Sequence, residues 1–158
     1  MVSPYLQQQP RTLLDALLDR SLPFENSRAA FFQVMDYLQL AVMITDRASS
    51  RADGPRFLYV NNALCKMTGY TREALIGQTP RLFQGPRTDV VKACRFRLAL
   101  QNTGTASVRL VNYGADGAEM LVDIMASRIA LGTPVDDEVY LAFSQRVAAQ
   151  TARTVAAA

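Results

Sequence analysis

Residues 105 to 130 read TASVRLVNYGADGAEMLVDIMASRIA, and they decide the fold. The runs 105–113 and 118–130 have the period-two alternation of β-strands, whose successive side chains point to opposite faces. Between them lies Gly114-Ala115-Asp116-Gly117, a sequence typical of a tight turn. The stretch therefore predicts an antiparallel hairpin of two long strands.

Three further apolar runs predict strands outside this hairpin. They cover residues 40–45, 57–61 and 138–147. Polar residues at 46–55 and the segment 132–137 separate these runs as loops. The fold is therefore expected to contain five strands.

The chain between the second and third strands has helical rather than β periodicity, from residue 62 to residue 101. Thr71 is a predicted N-cap, and Gly77 is a predicted stop signal. A longer helix is predicted from about Asp89 to Gln101. The order of strands and helices predicts the α+β fold class.

Two amphipathic helices are predicted before the first strand, at about residues 11–20 and 25–38. They form an N-terminal helical extension, residues 1–38, ahead of a domain of residues 39–147. An Ala-rich tail, residues 148–158, follows this domain. The apolar faces of the helices need a cover, and we expect them to mediate a homodimer.

The composition excludes several classes of protein and site. The 158-residue chain has no histidine, which removes Ser-His-Asp and Cys-His catalytic pairs, histidine metal ligands and histidine-ligated haem. Its two cysteines, Cys65 and Cys94, form neither a metal-binding spacing nor a disulfide framework, as is usual in a reducing cytoplasm. Since no nucleophile, base and orienting group come together, we expect no catalytic residue, no metal site and no enzyme activity.

Charge and hydropathy exclude two kinds of partner. The 17 Lys and Arg against 14 Asp and Glu leave a net charge of +3, without the dense basic run of a nucleic-acid-binding surface. The N-terminus does not resemble a signal peptide, and no run approaches the ~20 apolar residues of a membrane span. We therefore expect a cytoplasmic protein that binds neither nucleic acid nor membrane.

Two predicted strands each end an apolar face with an amide. The two faces are Ala106, Val108, Leu110 and Asn112 on one strand and Val139, Leu141, Phe143 and Gln145 on the other. A buried amide without partners costs roughly 1–3 kcal/mol, so each amide needs backbone and water at the strand end or the polar edge of a ligand. On the strand between them, Leu121 and Met125 make the opposite face unusually apolar. We expect the N-terminal helices or a second subunit to cover that face.

Two arginines are candidates for binding an anion. Arg97 follows Ala93 and Phe96 in the apolar stripe of the longer helix, and Arg81 precedes that helix. Two guanidinium groups suit a phosphate through bidentate hydrogen bonds. The alternative is that Arg97 extends its charged end to solvent.

Residues 77–89, GQTPRLFQGPRTD, resemble the signature of LOV domains, the blue-light, flavin-binding branch of the PAS family. The resemblance extends over about residues 40–147. It includes Thr45-Asp46, MTGYTREALIG at 67–77, NYGADG at 112–117 and YLAFSQ at 140–145. The resemblance implies a PAS fold, a five-stranded antiparallel sheet with short helices on one face. It also implies a flavin, FMN or alternatively FAD, between the sheet and the helices.

The resemblance also implies which residues bind the cofactor. Arg81 and Arg97 are similar to the arginines that hold the terminal phosphate, and Gln84 to the glutamine that contacts the ribityl chain. Asn112 is similar to the asparagine that reads the pyrimidine edge of the ring, and Gln145 to the glutamine that faces O4 and N5. The predicted cofactor-binding set is Thr45, Thr79, Arg81, Gln84, Arg97, Asn112 and Gln145.

Three positions depart from the LOV pattern. Pro80 stands where LOV domains have the cysteine that adds covalently to the excited flavin, and proline cannot be a nucleophile. Val122 replaces a second asparagine that reads the ring edge, and the loop asparagine near Gly54 is absent. Cys65 and Cys94 lie elsewhere in the pattern and are interpreted as ordinary small apolar residues.

Two functions follow from the resemblance. The first is a flavin-binding sensory module for blue light or redox state that forms no cysteinyl adduct. In this module Gln145 reorients when the flavin is reduced and protonated at N5, and the signal leaves through dimer contacts or a downstream signalling protein. The alternative is a PAS interaction or dimerisation module that binds no flavin, since Thr-Pro-Arg is common in PAS domains without one.

Overall fold

The structure is a computed structural model that describes residues 24–47, 54–130 and 138–147. The helix predicted at 11–20 and the tail at 148–158 lie outside these residues.

The chain divides into two compact units, with the boundary between Tyr37 and Leu38. The described part of the first unit is helix α1, Phe24–Tyr37, at the position of the helix predicted for residues 25–38.

The described part of the second unit contains five strands and four helical segments. They are β1 (Ala41–Asp46), β2 (Phe57–Val60), α2 (Asn62–Thr68), α3 (Arg72–Leu75), a 3₁₀ helix (Pro80–Phe83), α4 (Val90–Thr103), β3 (Thr105–Tyr113), β4 (Glu119–Ala130) and β5 (Glu138–Arg146). The strands form one sheet in the order β2-β1-β5-β4-β3, with every neighbouring pair antiparallel. The predicted α+β fold with a five-stranded antiparallel sheet is therefore confirmed.

The helices begin where the sequence provides capping side chains. Thr71 caps α3 as predicted, because its Oγ1 accepts a hydrogen bond from the Ala74 amide at 3.3 Å. Asp89 caps α4 in the same way through the Lys92 amide at 2.9 Å. Helix α4 ends at Gly104, whose φ of 79° is a conformation that only glycine adopts readily.

The core lies on one face of the sheet, which we call the inner face. Buried side chains from four strands pack there against one buried side chain from each helical segment of this unit. The strand residues of this core are Ala41, Met43, Phe57, Val60, Ala126, Tyr140 and Ala142, and the helical residues are Leu64, Leu75, Phe83 and Leu100. We call the opposite face of the sheet the outer face.

A buried asparagine joins β1 to the start of α2. Asn61 is fully buried, and its Oδ1 accepts hydrogen bonds from the Val42 amide at 2.9 Å and the Leu64 amide at 3.0 Å. Its Nδ2 donates to the Leu40 carbonyl at 2.9 Å. One side chain therefore satisfies three backbone groups and fixes the start of α2 against β1.

Candidate functional site

The inner face carries the buried polar side chains of Asn112 and Ser144, and the hydroxyl of Ser144 lacks a hydrogen-bond partner among the described residues. Asn112 on β3 is 9% exposed, and Ser144 on β5 is 2% exposed. The Oγ of Ser144 is buried and has no hydrogen-bond partner there. An unsatisfied buried polar group costs roughly 1–3 kcal/mol, so both positions are candidate contacts for a bound ligand.

Asn112 lies on the face that the sequence predicts. Leu110, two residues before it, is buried, and Asn112 pairs across the sheet with Met120, which is also buried. Its amide therefore continues the inner face beyond the apolar part of β3, next to the apolar face of β4.

Gln145 lies on the outer face, so the predicted face of β5 is wrong. Cross-strand pairing sets Gln145 opposite Asp123, and its side chain is exposed. The preceding residue, Ser144, pairs with Ile124 and with Ala41 and is the one that points inward. Because side chains alternate along a strand, an assignment that is wrong by one residue places every side chain on the opposite face of the sheet.

The error has a physical cause in the composition of β5. Val139, Leu141 and Phe143 are apolar on one side, but Tyr140 and Ala142 are apolar on the other. The alternation therefore cannot distinguish the two faces of this strand. Only the pairing with β1 and β4 decides which side joins the core.

The outer face has a groove of about 590 Å³ that crosses β3, β4 and β5. Gln145 lines it together with Met125 and an ion pair between Arg109 and Asp123. In this pair Nε and one terminal amino group of Arg109 donate to the carboxylate of Asp123 at 2.6 and 2.7 Å. Met125 is 58% exposed and Leu121 on the same face is 40% exposed, which leaves apolar surface beside the groove.

The Arg109–Asp123 pair predicts a weak loss of stability in acid. The hydrogen bond from Arg109 holds the pKa of Asp123 below its ordinary value, against a smaller opposing effect of desolvation. A lowered folded-state pKa contributes stability above the unfolded pKa, and this contribution is lost as pH falls through the folded pKa. Because both side chains are at least half exposed, solvent screening keeps the effect small. Urea unfolding should show the stability difference between the wild type and Asp123→Asn shrinking from neutral to acidic pH, whereas a constant difference would contradict this.

The residues predicted to bind the flavin phosphate and ribityl chain lie at the surface. Arg81, Gln84 and Arg97 are exposed, and Arg97 approaches the Cys94 sulfur at 4.0 Å. The guanidinium of Arg97 therefore extends to solvent from a helix face that ends at buried Leu100. The roles of Arg81 and Arg97 in binding phosphate, and of Gln84 in contacting the ribityl chain, stay predictions.

The two predicted threonines lie closer to the core. Thr45 in β1 is buried, and Thr79 is half-buried. Thr79 occupies the N-cap position of the 3₁₀ helix, with Pro80 directly after it. Its side chain makes no capping hydrogen bond. Pro80 therefore starts this helix through its restricted φ without help from the threonine hydroxyl.

Hydrogen bonds fix the loop before α4 to β3 and β4, an arrangement that the sequence reasoning missed. Thr88 Oγ1 donates to the Val111 carbonyl at 2.6 Å and accepts from the Gly85 amide at 3.0 Å. The Arg87 amide donates to the Tyr113 hydroxyl at 3.0 Å, and this hydroxyl donates to Glu119 at 3.0 Å. The loop that follows Gln84 is therefore held in one position.

The inner face suits a planar ring with a hydrogen-bonding edge. Val122, at the position of the second edge-reading asparagine, is fully buried and apolar. Further along the sheet, Ala126 and Ala142 pair with each other and present small side chains, while Asn112 and Ser144 provide an amide and a hydroxyl. These residues fit a flavin ring with fewer polar contacts than the LOV pattern has.

Three comparisons with known proteins bear on this site. A family model described as PAS domain matches residues 41–144. The chain belongs to the PAS domain family. The core residues and Asn112 lie within the matched residues 41–144, and Ser144 is the last of these residues.

The PAS domain is similar to blue-light proteins. A blue-light-activated histidine kinase 2 of Erythrobacter litoralis is 35% identical over 79 residues, which cover 50% of this chain and 22% of the kinase. A blue-light photoreceptor of Listeria monocytogenes is 29% identical over 111 residues, 70% of this chain and 41% of that protein. The chain thus spans less than half the length of these relatives.

Solved LOV domains share the fold. The LOV domain of the Erythrobacter litoralis EL346 blue-light activated histidine kinase is 26% identical, with a TM-score of 0.58 over 69% of this chain and 96% of that domain. The light-state LOV domain of Aureochrome1 is 24% identical, with a TM-score of 0.60 over 75% of this chain and 87% of that one. The second likeness concerns the fold alone. The PAS domain is therefore LOV-like.

Within the described ranges, no group of three or more histidine, cysteine, aspartate or glutamate side chains could hold a metal ion. No helix in the same part of the chain is long and apolar enough to cross a membrane.

Proposed function

We propose that this chain is a LOV-like sensory module that binds a flavin, FMN in preference to FAD, and responds to blue light or redox state. The observation that carries the proposal is the buried Ser144 hydroxyl without a partner on the inner face, which also carries the buried amide of Asn112. The similarity to proteins named as blue-light photoreceptors supports it. A bound flavin supplies blue-light absorption and exchange of electrons.

The residues of this chain have separate roles in the proposed site. Asn112 orients the ring by offering a donor and an acceptor to its polar edge. Arg81 and Arg97 hold the phosphate at the surface, where a charged group stays hydrated, and Gln84 contacts the chain that links phosphate to ring. Thr45 and Thr79 line the rest of the proposed flavin site.

The module forms no adduct and signals without enzyme activity. Pro80 has no nucleophilic atom and occupies the start of the 3₁₀ helix. Cys65 is half-buried beside the core and Cys94 is exposed on α4, so neither stands at that position. The proposed signal passes through β5, which pairs with β1 and β4 and so transmits a local change to both.

Flavin binding is tested by absorbance of the purified protein and by titration with FMN. The protein should carry the blue absorption band of a flavin, and illumination should never bleach it to a stable adduct. Asn112→Leu should weaken FMN binding by about tenfold, because about 1.4 kcal/mol of hydrogen bonding is lost. Asn102→Leu, at an exposed position in α4, is the matched control and should bind as the wild type does. A colourless protein that ignores added FMN would refute the proposal.

A second candidate function is a PAS interaction module without flavin. The exposed Leu121 and Met125 beside the outer groove favour it, since exposed apolar patches mark contact surfaces. Its proposed partner is a second copy of the chain, joined through the N-terminal helical extension, or a downstream signalling protein. A colourless dimer in sedimentation experiments would support this function over the first.

A further inference from the structure

We infer that Ser144, and not Gln145, is the residue of β5 that hydrogen-bonds to the ligand of the inner face. This inference rests on the ligand site of the proposed function. It assigns the contact to a hydroxyl one residue before the glutamine that the LOV resemblance singles out. It also removes the reorientation of Gln145 from the expected response.

The direction of Ser144 follows from its pairing with two strands and from the burial of Ala142 on the same face. On one side Ser144 pairs with Ala41 of β1, and on the other it pairs with Ile124 of β4. Its neighbour Ala142, which has the same orientation, belongs to the core cluster. Gln145 pairs with Asp123, and its side chain is exposed. The two residues therefore face opposite sides of the sheet.

The side chain of Ser144 is buried and unsatisfied. It is 2% exposed, and its Oγ finds no hydrogen-bond partner among the described residues. Two of the sheet residues beside it are small, Ala41 on β1 and Ala142 two positions earlier, and Ile124 is its partner on β4. A buried hydroxyl without a partner favours a ligand atom that can form a hydrogen bond with the oxygen.

A hydroxyl also changes how the site responds to its ligand. Serine offers one donor and two acceptor positions, and rotation about its Cβ–Oγ bond exchanges them without moving any heavy atom. A glutamine amide has to turn its whole end group for the same exchange. The Ser144 hydroxyl can therefore pair with a donor or with an acceptor of the ligand. This favours a ligand whose facing atom changes from acceptor to donor when it is protonated.

The test compares Ser144→Ala with Gln145→Ala, two truncations at adjacent positions on opposite faces. FMN affinity is measured by equilibrium dialysis, and the thermal midpoint is measured on protein freed of FMN. Ser144→Ala should weaken FMN binding roughly three- to tenfold, the loss of one hydrogen bond. It should also raise the midpoint of the FMN-free protein by roughly 2–6 °C, because an unpaired buried hydroxyl is removed. Gln145→Ala should leave both quantities near the wild-type values.

The outcomes separate this inference from the proposed function. If the wild type binds no FMN, the proposed function fails. The comparison of thermal midpoints still decides whether the Ser144 hydroxyl has a hydrogen-bond partner in the FMN-free protein. An unchanged or lower midpoint for Ser144→Ala would show that the hydroxyl already has a partner in the free protein and would overturn the inference. Equal FMN affinity for Ser144→Ala with weaker binding for Gln145→Ala would return the contact to the glutamine and overturn it as well.

Discussion

Asn61→Leu is expected to lower the free energy of unfolding by about 3–5 kcal/mol, the largest loss that a single polar substitution should cause in this chain. The leucine keeps the volume of the side chain but leaves the Val42 amide, the Leu64 amide and the Leu40 carbonyl without their partner. These groups are shielded from water because Asn61 is fully buried. Urea denaturation monitored by far-UV circular dichroism measures the change.

Two further variants make this result specific. Asn61→Asp keeps the Oδ1 acceptor but loses the Nδ2 donor to Leu40, so it should be destabilised less than Asn61→Leu as long as its carboxylate retains both amides. Asn62→Ala, at the exposed next residue, should change stability by less than about 0.5 kcal/mol. Equal stability of Asn61→Leu and the wild type would show that the three backbone groups find other partners.

Gly85→Ala is expected to destabilise the PAS domain by about 2–3 kcal/mol. A Cβ at this position would overlap the ring of Tyr113, well inside van der Waals contact. The ring cannot move away without breaking the hydrogen bonds of its hydroxyl with the Arg87 amide and Glu119. Either the loop shifts from β3 or the tyrosine leaves its place. Thermal unfolding and FMN titration of the same variant measure both consequences.

A double-mutant cycle tests the proposed clash. Tyr113→Ala alone should be destabilising, because it removes the hydroxyl that joins the loop to β4. Adding Gly85→Ala to Tyr113→Ala should then cost less than about 0.5 kcal/mol, since the overlapping ring is gone. If the two losses simply add, the clash with Tyr113 is not the cause and the backbone of Gly85 has to explain the effect.

Local patterns predicted most of the strands and helices of the PAS domain. The hairpin of β3 and β4 was predicted because its alternation and its turn lie within one continuous stretch. Thr71 was found as a cap because a cap acts on an amide three residues later. Such signals need no knowledge of distant residues.

The prediction was least complete where one residue serves distant groups. Asn61 closes the second predicted strand, and nothing in its neighbourhood indicates that it binds Val42 and Leu40 across the sheet. The contact of the loop at Gly85 with Tyr113 likewise joins segments far apart in the chain. A positional signal did exist for Asn61, since an asparagine directly before a helix is a typical N-cap.

The amino-acid sequence by itself determined the family, the five strands, and the absence of a nucleophile at Pro80, because these depend on residue identity and on short-range periodicity. Only the tertiary structure decided which face of β5 joins the core. That strand is apolar on both sides, so its orientation is set by pairing with β1 and β4 and not by its own pattern. This pairing turns the Ser144 hydroxyl inward and Gln145 outward.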